Sequence, residues 1–435
     1  MLLELLDQRL PRPDHYWIAF SGGLDSSVLL HALAGLRDRL AAPLSAIHID
    51  HRLQARSAEW AVHCRRQCAA LGIPLSDIVV DAAPRPGESP EAAARGARYQ
   101  AIAAALGPRA MLLTAHHRDD QAETLLLQLL RGAGVEGLAA MPLVRAWHDG
   151  WHARPLLDLP RAALRAWAVA ARLHWIEDPS NAESLADRNY LRHQVIPALR
   201  ARWPAAAANI AHSAALCGEA ADLLLQQTRR DLAATLSVDG RYLRIDLLRR
   251  FSPAAARNLV RLWLRTRGVP PLPRRRLHGA IDQLCNARPD AAVCISWSGG
   301  ELRRFRDQAW LVSGGPGEPP TGLIEWQGEQ LALGAGLGVL RRRLMPGGID
   351  TRRWQQGRVQ IGFRNAGLRC QPVGRAGSRT FKKIAQQFAI PPWLRDRMPL
   401  IYIDGELAAI PNACVCEPYA AAQGQSGWVV EWIHD

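Results

Sequence analysis

At 435 residues, 48% of them hydrophobic and 22% charged, the chain is too long for one small core and too apolar for wholesale disorder, so several packed domains are expected. The 54 lysines and arginines against 40 acids give a formal net charge of +14, which points to a polyanionic partner such as nucleic acid; GC-rich coding explains the choice of arginine, with Lys382 and Lys383 the only lysines, but not the excess over the acids. Eight scattered cysteines without zinc or thioredoxin spacing read as reduced, buried thiols, and an opening MLLELLDQRL followed by no long apolar run speaks against a signal peptide or membrane span, so a cytoplasmic protein is expected.

Up to about residue 145, short apolar runs alternate with segments of helical period: YWIAF, VLLHALAGLRDRL, LSAIHI, AEWAVHCRRQCAALG, LSDIVV, SPEAAARGARYQAIAAALG, AMLLTAH and DDQAETLLLQLLRG. This βαβ series predicts an α/β fold with a doubly wound parallel sheet and ligands outside the carboxyl ends of its strands. From 154 to 235 the pattern is helical, ending in an alanine-rich stretch; 240–312 mixes short strands and helices. SGGPGEPPTG then breaks the periodicity, and ALGAGLGVLRRRL and GRVQIGFR alternate like strands of a small α+β terminal domain. The expected division is a catalytic domain with helical extension over 1–205, a middle substrate domain over 206–315 and a terminal domain over 325–435.

The stretch YWIAFSGGLDSSVLLHAL joins a strand ending at Phe20 to a helix from about Asp25 through a turn holding Gly22 and Gly23. A helix start offers N–H groups without intrahelical acceptors and the positive end of the dipole, so it binds anions. The glycines let backbone approach a ligand closely, and Ser21, Ser26 and Ser27 add hydroxyl donors, a set suited to pyrophosphate. The lysine of G-x-x-x-x-G-K-[ST] is missing, so this is not an ordinary P-loop. Asp25, an acid facing phosphates, makes sense as a Mg²⁺ ligand; the simpler alternative is that Ser21 and Asp25 only cap the helix.

Two further clusters stand out. In TAHHRDDQAETLLLQLLRG, a strand end carries His116 and His117 into a helix with Asp119, Asp120 and Glu123 near its first turn; Asp120 and Glu123 share a face and could hold a metal or a cationic amine. In WIEDPSNAESLADRNYLRHQVIPAL, Asp178 and Asn181 make a turn, and Arg188, Asn189 and Arg192 follow on a helix whose paired arginines suit RNA phosphates or, equally, salt bridges to nearby acids. Arg95 and Arg98 in EAAARGARYQ could meet phosphate or lie on a solvated face. RTFKKIAQQF and PPWLRDR combine Lys382, Lys383 and Arg395 with Phe381 and Trp393, a mix suited to phosphate contact beside a packed core.

SGGLDSS after an apolar strand resembles the SGGxDS signature of N-type ATP pyrophosphatases, which cleave ATP between the α and β phosphates and adenylate a substrate oxygen. The order of SGGLDSSVLLHAL, AIHIDHRL, EAAARGARYQA, TAHHRDDQAETLLLQLLRG, RPLLDLPRAALRAWA and WIEDPSNAESLADRNYLRHQVIPAL, with VGRAGSRTFKKIAQQFAIPPWLRDRMPLIYIDGELAAI near the end, is similar to the tRNA(Ile)-lysidine synthetase family over most of the chain. HIDHRL departs from the HVHHGL expected there, which leaves the roles of Asp50 and Arg52 open. The resemblance implies ATP and Mg²⁺, free L-lysine, and an isoleucine tRNA with a CAU anticodon whose wobble cytidine is adenylated and then joined to lysine; no protein or membrane partner is indicated. It implies ATP binding by Ser21, Gly22, Gly23, Leu24, Asp25 and Ser26, a metal at Asp25 or Asp120, and chemistry at Asp25, Asp120 and Glu123 with His116 or His117 as further candidates. It implies tRNA contacts from Arg188, Asn189, Arg192, Lys382, Lys383 and Arg395. A tRNA thiolase of the same fold would need reactive cysteines or an iron–sulfur site, and no C-x2-C occurs; small-metabolite amidotransferase partners need no such basic chain, and a non-catalytic RNA-binding module would not retain the acids.

Overall fold

A computed structural model describes residues 2–50, 52, 57–81, 90–177, 187–288, 291–312, 319–334, 336–363 and 367–433, without the side chains of residues 90–92. Two compact units divide the chain, Met1–Leu225 and Gln226–Asp435.

The first unit begins with α1 (Leu2–Arg9), β1 (His15–Ala19), α2 (Leu24–Ala34), β2 (Leu44–Asp50), α3 (Ser57–Leu71), β3 (Leu75–Val79), α4 (Pro90–Ala105), β4 (Ala110–Leu113), α5 (Arg118–Leu130) and α6 (Val135–Leu138). It continues with the hairpin β5 (Val144–Trp147) and β6 (Gly150–Ala153), then α7 (Arg161–Ala170), α8 (Asp187–Tyr190), a π-helical turn over Leu191–Val195, α9 (Ile196–Arg202) and α10 (Ala206–Thr235), in which the unit boundary falls. The six strands form one sheet in the order β3-β2-β1-β4-β6-β5. All neighbours are parallel except β5, which returns antiparallel along β6. The doubly wound sheet expected from the βαβ series is present; the antiparallel edge hairpin lies just past the stretch whose alternation was regular. Gly150 admits that hairpin, because a Cβ there would stand 2.1 Å from the Ala110 carbonyl oxygen.

Helices cover both faces. Tyr16 and Ile18 of β1 pack with Leu29, Leu30 and Leu33 of α2, Cys64 and Cys68 of α3 and Leu164 of α7, while Ile47 of β2 and Leu112 of β4 pack on the other face against Ile102 of α4. AMLL of β4 is buried throughout, which is why it reads as an unbroken apolar run rather than an alternating one. Each of its larger side chains contributes about 1.5–3 kcal/mol by leaving water. Strand order reverses between β1 and β4, so their carboxyl ends open a crevice at the switch point.

The second unit holds an antiparallel sheet of β7 (Tyr242–Arg244), β8 (Cys294–Trp297), β9 (Gly300–Phe305) and β10 (Gln308–Val312), with helices α11 (Ile245–Leu248), α12 (Pro253–Thr266) and α13 (Arg274–Asn286) between β7 and β8. The buried stripe Ala256, Leu259, Val260, Trp263 and Leu264 on α12 has helical spacing. A β-rich part follows: β11 (Ile324–Glu325), β12 (Gln330–Ala332), β13 (Val339–Pro346), α14 (Thr351–Gln356), β14 (Val359–Gly362), β15 (Arg369–Cys370), β16 (Arg379–Thr380), α15 (Phe381–Gln387), α16 (Pro392–Arg395), β17 (Leu400–Ile403), β18 (Glu406–Ile410), β19 (Cys414–Val415) and β20 (Ser426–Ile433), around one shared core.

The expectation of reduced, buried thiols needs correcting here. Cys370 and Cys416 form a disulfide across a sequence separation of 46 residues, and Cys294 is exposed. The bond joins positions brought together by the antiparallel bridge of Pro372 with Cys416, a pairing that no local cysteine spacing announces. Among the described residues no helix is long and apolar enough to cross a membrane.

Candidate active site at the switch point of the sheet

The turn after β1 is built as an anion cradle. Gly22 has φ +78°, a left-handed conformation that favours glycine, and a Cβ there would stand 3.1 Å from both Cys64 Sγ and Ile176 Cδ1, a tight fit. Its carbonyl accepts the Ile176 N–H at 2.9 Å, tying the turn to the chain after α7. Helix α2 starts at Leu24 with Gly23 as N-cap and no side-chain cap, so Ser21 and Asp25 are not there merely to cap it. Ser21 Oγ lies 3.1 Å from Ser26 Oγ, and Ser26 donates to the Gly23 carbonyl, while the first amides of α2 have no acceptor within the helix. His48 Nδ1 lies 2.8 Å from the Phe20 carbonyl and pins the strand end from β2.

The end of β4 faces this turn from the neighbouring strand. His117 caps α5 reciprocally with Asp120: its Nδ1 accepts the Asp120 N–H, and Asp120 accepts the His117 N–H at 3.0 Å. With Nδ1 accepting, Nε2 carries the proton and points to Asp25 Oδ2, 3.6 Å away. Burial works to lower the His117 pKa, but the nearby carboxylates of Asp25, Asp120 and Asp119 raise it above its ordinary value. Asp25 Oδ2 also has Arg161 at 3.7 Å, whereas Asp25 Oδ1 is buried and has no partner.

Two arginines close the other side. Arg188 donates to Glu123 at 2.7 Å and to Asp120 at 2.9 Å; Arg192 donates to both oxygens of Glu123, at 2.7 and 3.0 Å, and to Asp120 at 3.1 Å. They stand one turn apart, Arg192 inside the π-helical turn. Burial opposes ionisation of Asp120, yet His117 and Arg188 hold its carboxyl below the ordinary range. Asp119 is lowered too, against the cost of burial, by the Arg161 backbone N–H and the Arg200 guanidinium.

The structure therefore gathers Ser21, Gly22, Gly23, Leu24, Asp25, Ser26, His116, His117, Asp120, Glu123, Arg188 and Arg192 in one unit, with the turn and the acids at adjacent strand ends. It also changes what several of them do. Glu123 is 1% exposed with both oxygens taken by arginines. Asp120 has both oxygens in hydrogen bonds, whereas Asp25 Oδ1 has no partner. Arg188 and Arg192, expected on RNA phosphates, are held by acids instead, the alternative their spacing allowed. Asn189 is half-buried on α8, and Asp178 and Asn181 lie outside the described residues. Asp50 accepts the Arg52 N–H in a local turn, and Arg95 stacks over Tyr99. In the second unit Lys382 and Lys383 are exposed on α15, Phe381 is core, and Arg395 donates to the Ile390 carbonyl. The sequence reading missed Arg161, Arg200, Thr114, His152 and Arg154; RPLLDLPRAALRAWA contains two of them, but a lone arginine after a strand has no spacing that marks it.

A PP-loop domain matches residues 2–199, a TilS substrate binding domain 243–310 and a TilS substrate C-terminal domain 359–432. The tRNA(Ile)-lysidine synthase of Methylococcus capsulatus is 40% identical over 96% of this chain and 96% of its own length, that of Alkalilimnicola ehrlichii 43% identical over 94% and 92%, and that of Coxiella burnetii 40% identical over 96% and 93%. The chain belongs to the tRNA(Ile)-lysidine synthase family. Members of this family are ATP-dependent ligases that modify tRNA, and the turn after β1 lies within the matched PP-loop domain. Cys64, beside that turn, and Cys68 are buried, which pushes their thiols up to about 12 and about 11.

Proposed function

We propose that this site transfers the adenylyl group of ATP to the C2 carbonyl oxygen of the wobble cytidine in the CAU-anticodon isoleucine tRNA, releasing pyrophosphate, and that the amine of free L-lysine then attacks C2, expelling AMP and leaving lysidine. The observation that carries the reading is the meeting of the PP-loop with His117 and Asp120 at the switch point, with Asp25 between them. The leaving pyrophosphate gains charge as the bond to the α phosphate breaks, so the fixed N–H groups at the start of α2 and the Ser21 hydroxyl favour the transition state over the bound ATP. Arg161 stands beside Asp25 on the same rim and adds positive charge to it.

The buried, unpartnered Oδ1 of Asp25 fits a divalent ion shared with phosphate oxygens, since Mg²⁺ takes one or two carboxylates and fills its shell with phosphates and water. Mg²⁺ bound there would supply charge neutralisation on the phosphates. The lysine ammonium, with an ordinary pKa near 10.4, must lose its proton before attack. Asp25, whose carboxylate is partly accessible beside the turn, is the group that would hold the amine; Asp120 is buried with both oxygens hydrogen-bonded, and Glu123 fixes the arginines that hold it in place.

The matched segments support a catalytic domain over 1–205, a middle tRNA-binding domain over 206–315 and a terminal tRNA-binding domain over 325–435, where exposed Lys382 and Lys383 offer phosphate contacts. A substrate pair of free lysine and tRNA supports a cytoplasmic reaction. Asp25→Ala is the test: given ATP, Mg²⁺, labelled lysine and isoleucine tRNA transcripts with C34 or U34, wild-type enzyme should label only the C34 transcript, and the variant should release neither AMP nor pyrophosphate. Full AMP release by the variant would remove Asp25 from the reaction.

A further inference from the structure

Behind the candidate active site runs a buried chain of polar side chains that the mechanism above does not use. The Thr114 hydroxyl, just past the carboxyl end of β4, lies 2.8 Å from His116 Nδ1 and 2.9 Å from His152 Nε2. His152 Nδ1 lies 3.3 Å from a terminal guanidinium nitrogen of Arg154, whose other terminal nitrogen donates to the Pro142 carbonyl at 2.8 Å. Thr114, His152 and Arg154 are all buried, and the His152 ring sits near Tyr99 and Trp147, at centroid distances of 5.7 and 6.1 Å.

Donor chemistry sets the direction of this chain. A guanidinium has five N–H groups and accepts nothing, so His152 Nδ1 accepts and the His152 proton is on Nε2, which donates to Thr114 Oγ1. The threonine hydrogen then has one acceptor in reach, His116 Nδ1; turned elsewhere it would be a buried donor without a partner, at a cost of about 1–3 kcal/mol. His116 consequently carries its own proton on Nε2, and among the described residues that atom has no hydrogen-bond partner.

We propose that His116 acts as a neutral hydrogen-bond donor through Nε2–H to an oxygen of the reacting nucleotide, with Thr114, His152 and Arg154 as positioning residues that fix its tautomer. The donor role rests on the adenylation reading given above. It replaces the expectation of His116 as a base for the lysine amine, because a nitrogen already bearing a proton cannot take another and remain a neutral donor. The charged groups that act on His116 are Asp120, Arg154, Arg188 and Arg95; burial and the three arginines outweigh Asp120 and hold its pKa down to about 3, and burial with Arg154 and Arg145 holds His152 to about 2. A donor that stays neutral across the working range keeps one polarity toward a phosphoryl or carbonyl oxygen as charge builds on it.

The test uses the full chain. Side-chain nitrogen NMR of histidine-labelled enzyme, with His116 assigned from its own variant, should show the Nε2–H tautomer, and Thr114→Val should mix the tautomers. In pyrophosphate release, His116→Gln, whose amide donor falls near the Nε2 position, should keep kcat within about tenfold of wild type, whereas His116→Ala should lose about a hundredfold or more. Both should keep the wild-type pH limbs. Thr114→Val should lower kcat by about tenfold or more at an unchanged KM for ATP, the sense of the loss when a histidine sits in the wrong tautomer, and Thr114→Ser should recover it. A resting Nδ1–H tautomer overturns the relay, and a glutamine variant as poor as alanine that also loses the acidic limb overturns the donor role. Wild-type enzyme that releases no pyrophosphate overturns the adenylation reading and the donor role with it, while the tautomer, read without turnover, still judges the relay.

Discussion

Replacing Glu123 by glutamine tests the arginine clamp. Glu123 is 1% exposed and takes three guanidinium hydrogen bonds of 2.7, 2.7 and 3.0 Å from Arg188 and Arg192. Removing one partner of a buried ion pair costs about 3–5 kcal/mol, because the charge left behind is unmatched. Two features pull the value to the lower end. The arginines are 25% and 24% exposed and recover some water, and Asp120 Oδ1 still accepts from both. A loss of about 2–3 kcal/mol should lower the melting transition by roughly 5–10 °C for a unit of this size. Thermal unfolding of the full chain followed by circular dichroism reads it. A cycle with Arg192→Ala should show a coupling above about 1 kcal/mol that persists in high salt, since buried pairs are weakly screened. A shift within about 1 °C, or additive effects, would show that the clamp is an ordinary surface pair and refute the buried reading of Glu123.

Acid stability should reveal the neutral histidines. His116 and His152 have folded pKa values near 3 and 2, below the ordinary 6.5, so the unfolded chain binds more protons than the folded one between those limits and stability falls as pH drops below about 6.5, by up to about 1.4 kcal/mol per pH unit for each. Denaturant titrations from pH 7 to about 4.5 should show this slope, and His152→Gln should flatten it; an unchanged slope would mean His152 is charged in the native state. Gly22→Ala should abolish ATP-dependent pyrophosphate release while leaving far-ultraviolet dichroism native, because an alanine is strained at φ +78° and its methyl group would crowd Cys64 and Ile176; retained activity would show that the turn relaxes. Lys382→Ala with Lys383→Ala should weaken tRNA binding and reduce the slope of log affinity against log salt by about two, with kcat at saturating tRNA unchanged; an unaltered slope would place α15 off the RNA.

Much of the first unit was legible in the sequence because its signals are local. Alternating apolar runs specify a parallel sheet, and a strand, two glycines and a helix start specify an anion turn without knowledge of distant residues. The clamp and the relay were not legible, for a physical reason: Glu123 lies 65 residues before Arg188, and Thr114 lies 38 before His152, so the pairings exist only after the sheet and helices have closed. The arginine spacing on the helix fitted phosphates and acids equally, and only the position of α5 decides between them. The disulfide of Cys370 with Cys416 is of the same kind, set by a long-range bridge in the second unit. Polarity of the histidines was hidden too, because their tautomers follow from Arg154, which sequence shows only as one arginine among many.

The most direct test of the central claim, that the turn after β1 grips the pyrophosphate leaving an adenylated base, is positional-isotope tracing with ATP and a C34 transcript whose cytidine C2 oxygen is ¹⁸O. The account requires that label to leave in AMP in step with lysine incorporation, together with unlabelled pyrophosphate. Label remaining in the RNA, or ADP and orthophosphate as the products, would contradict it.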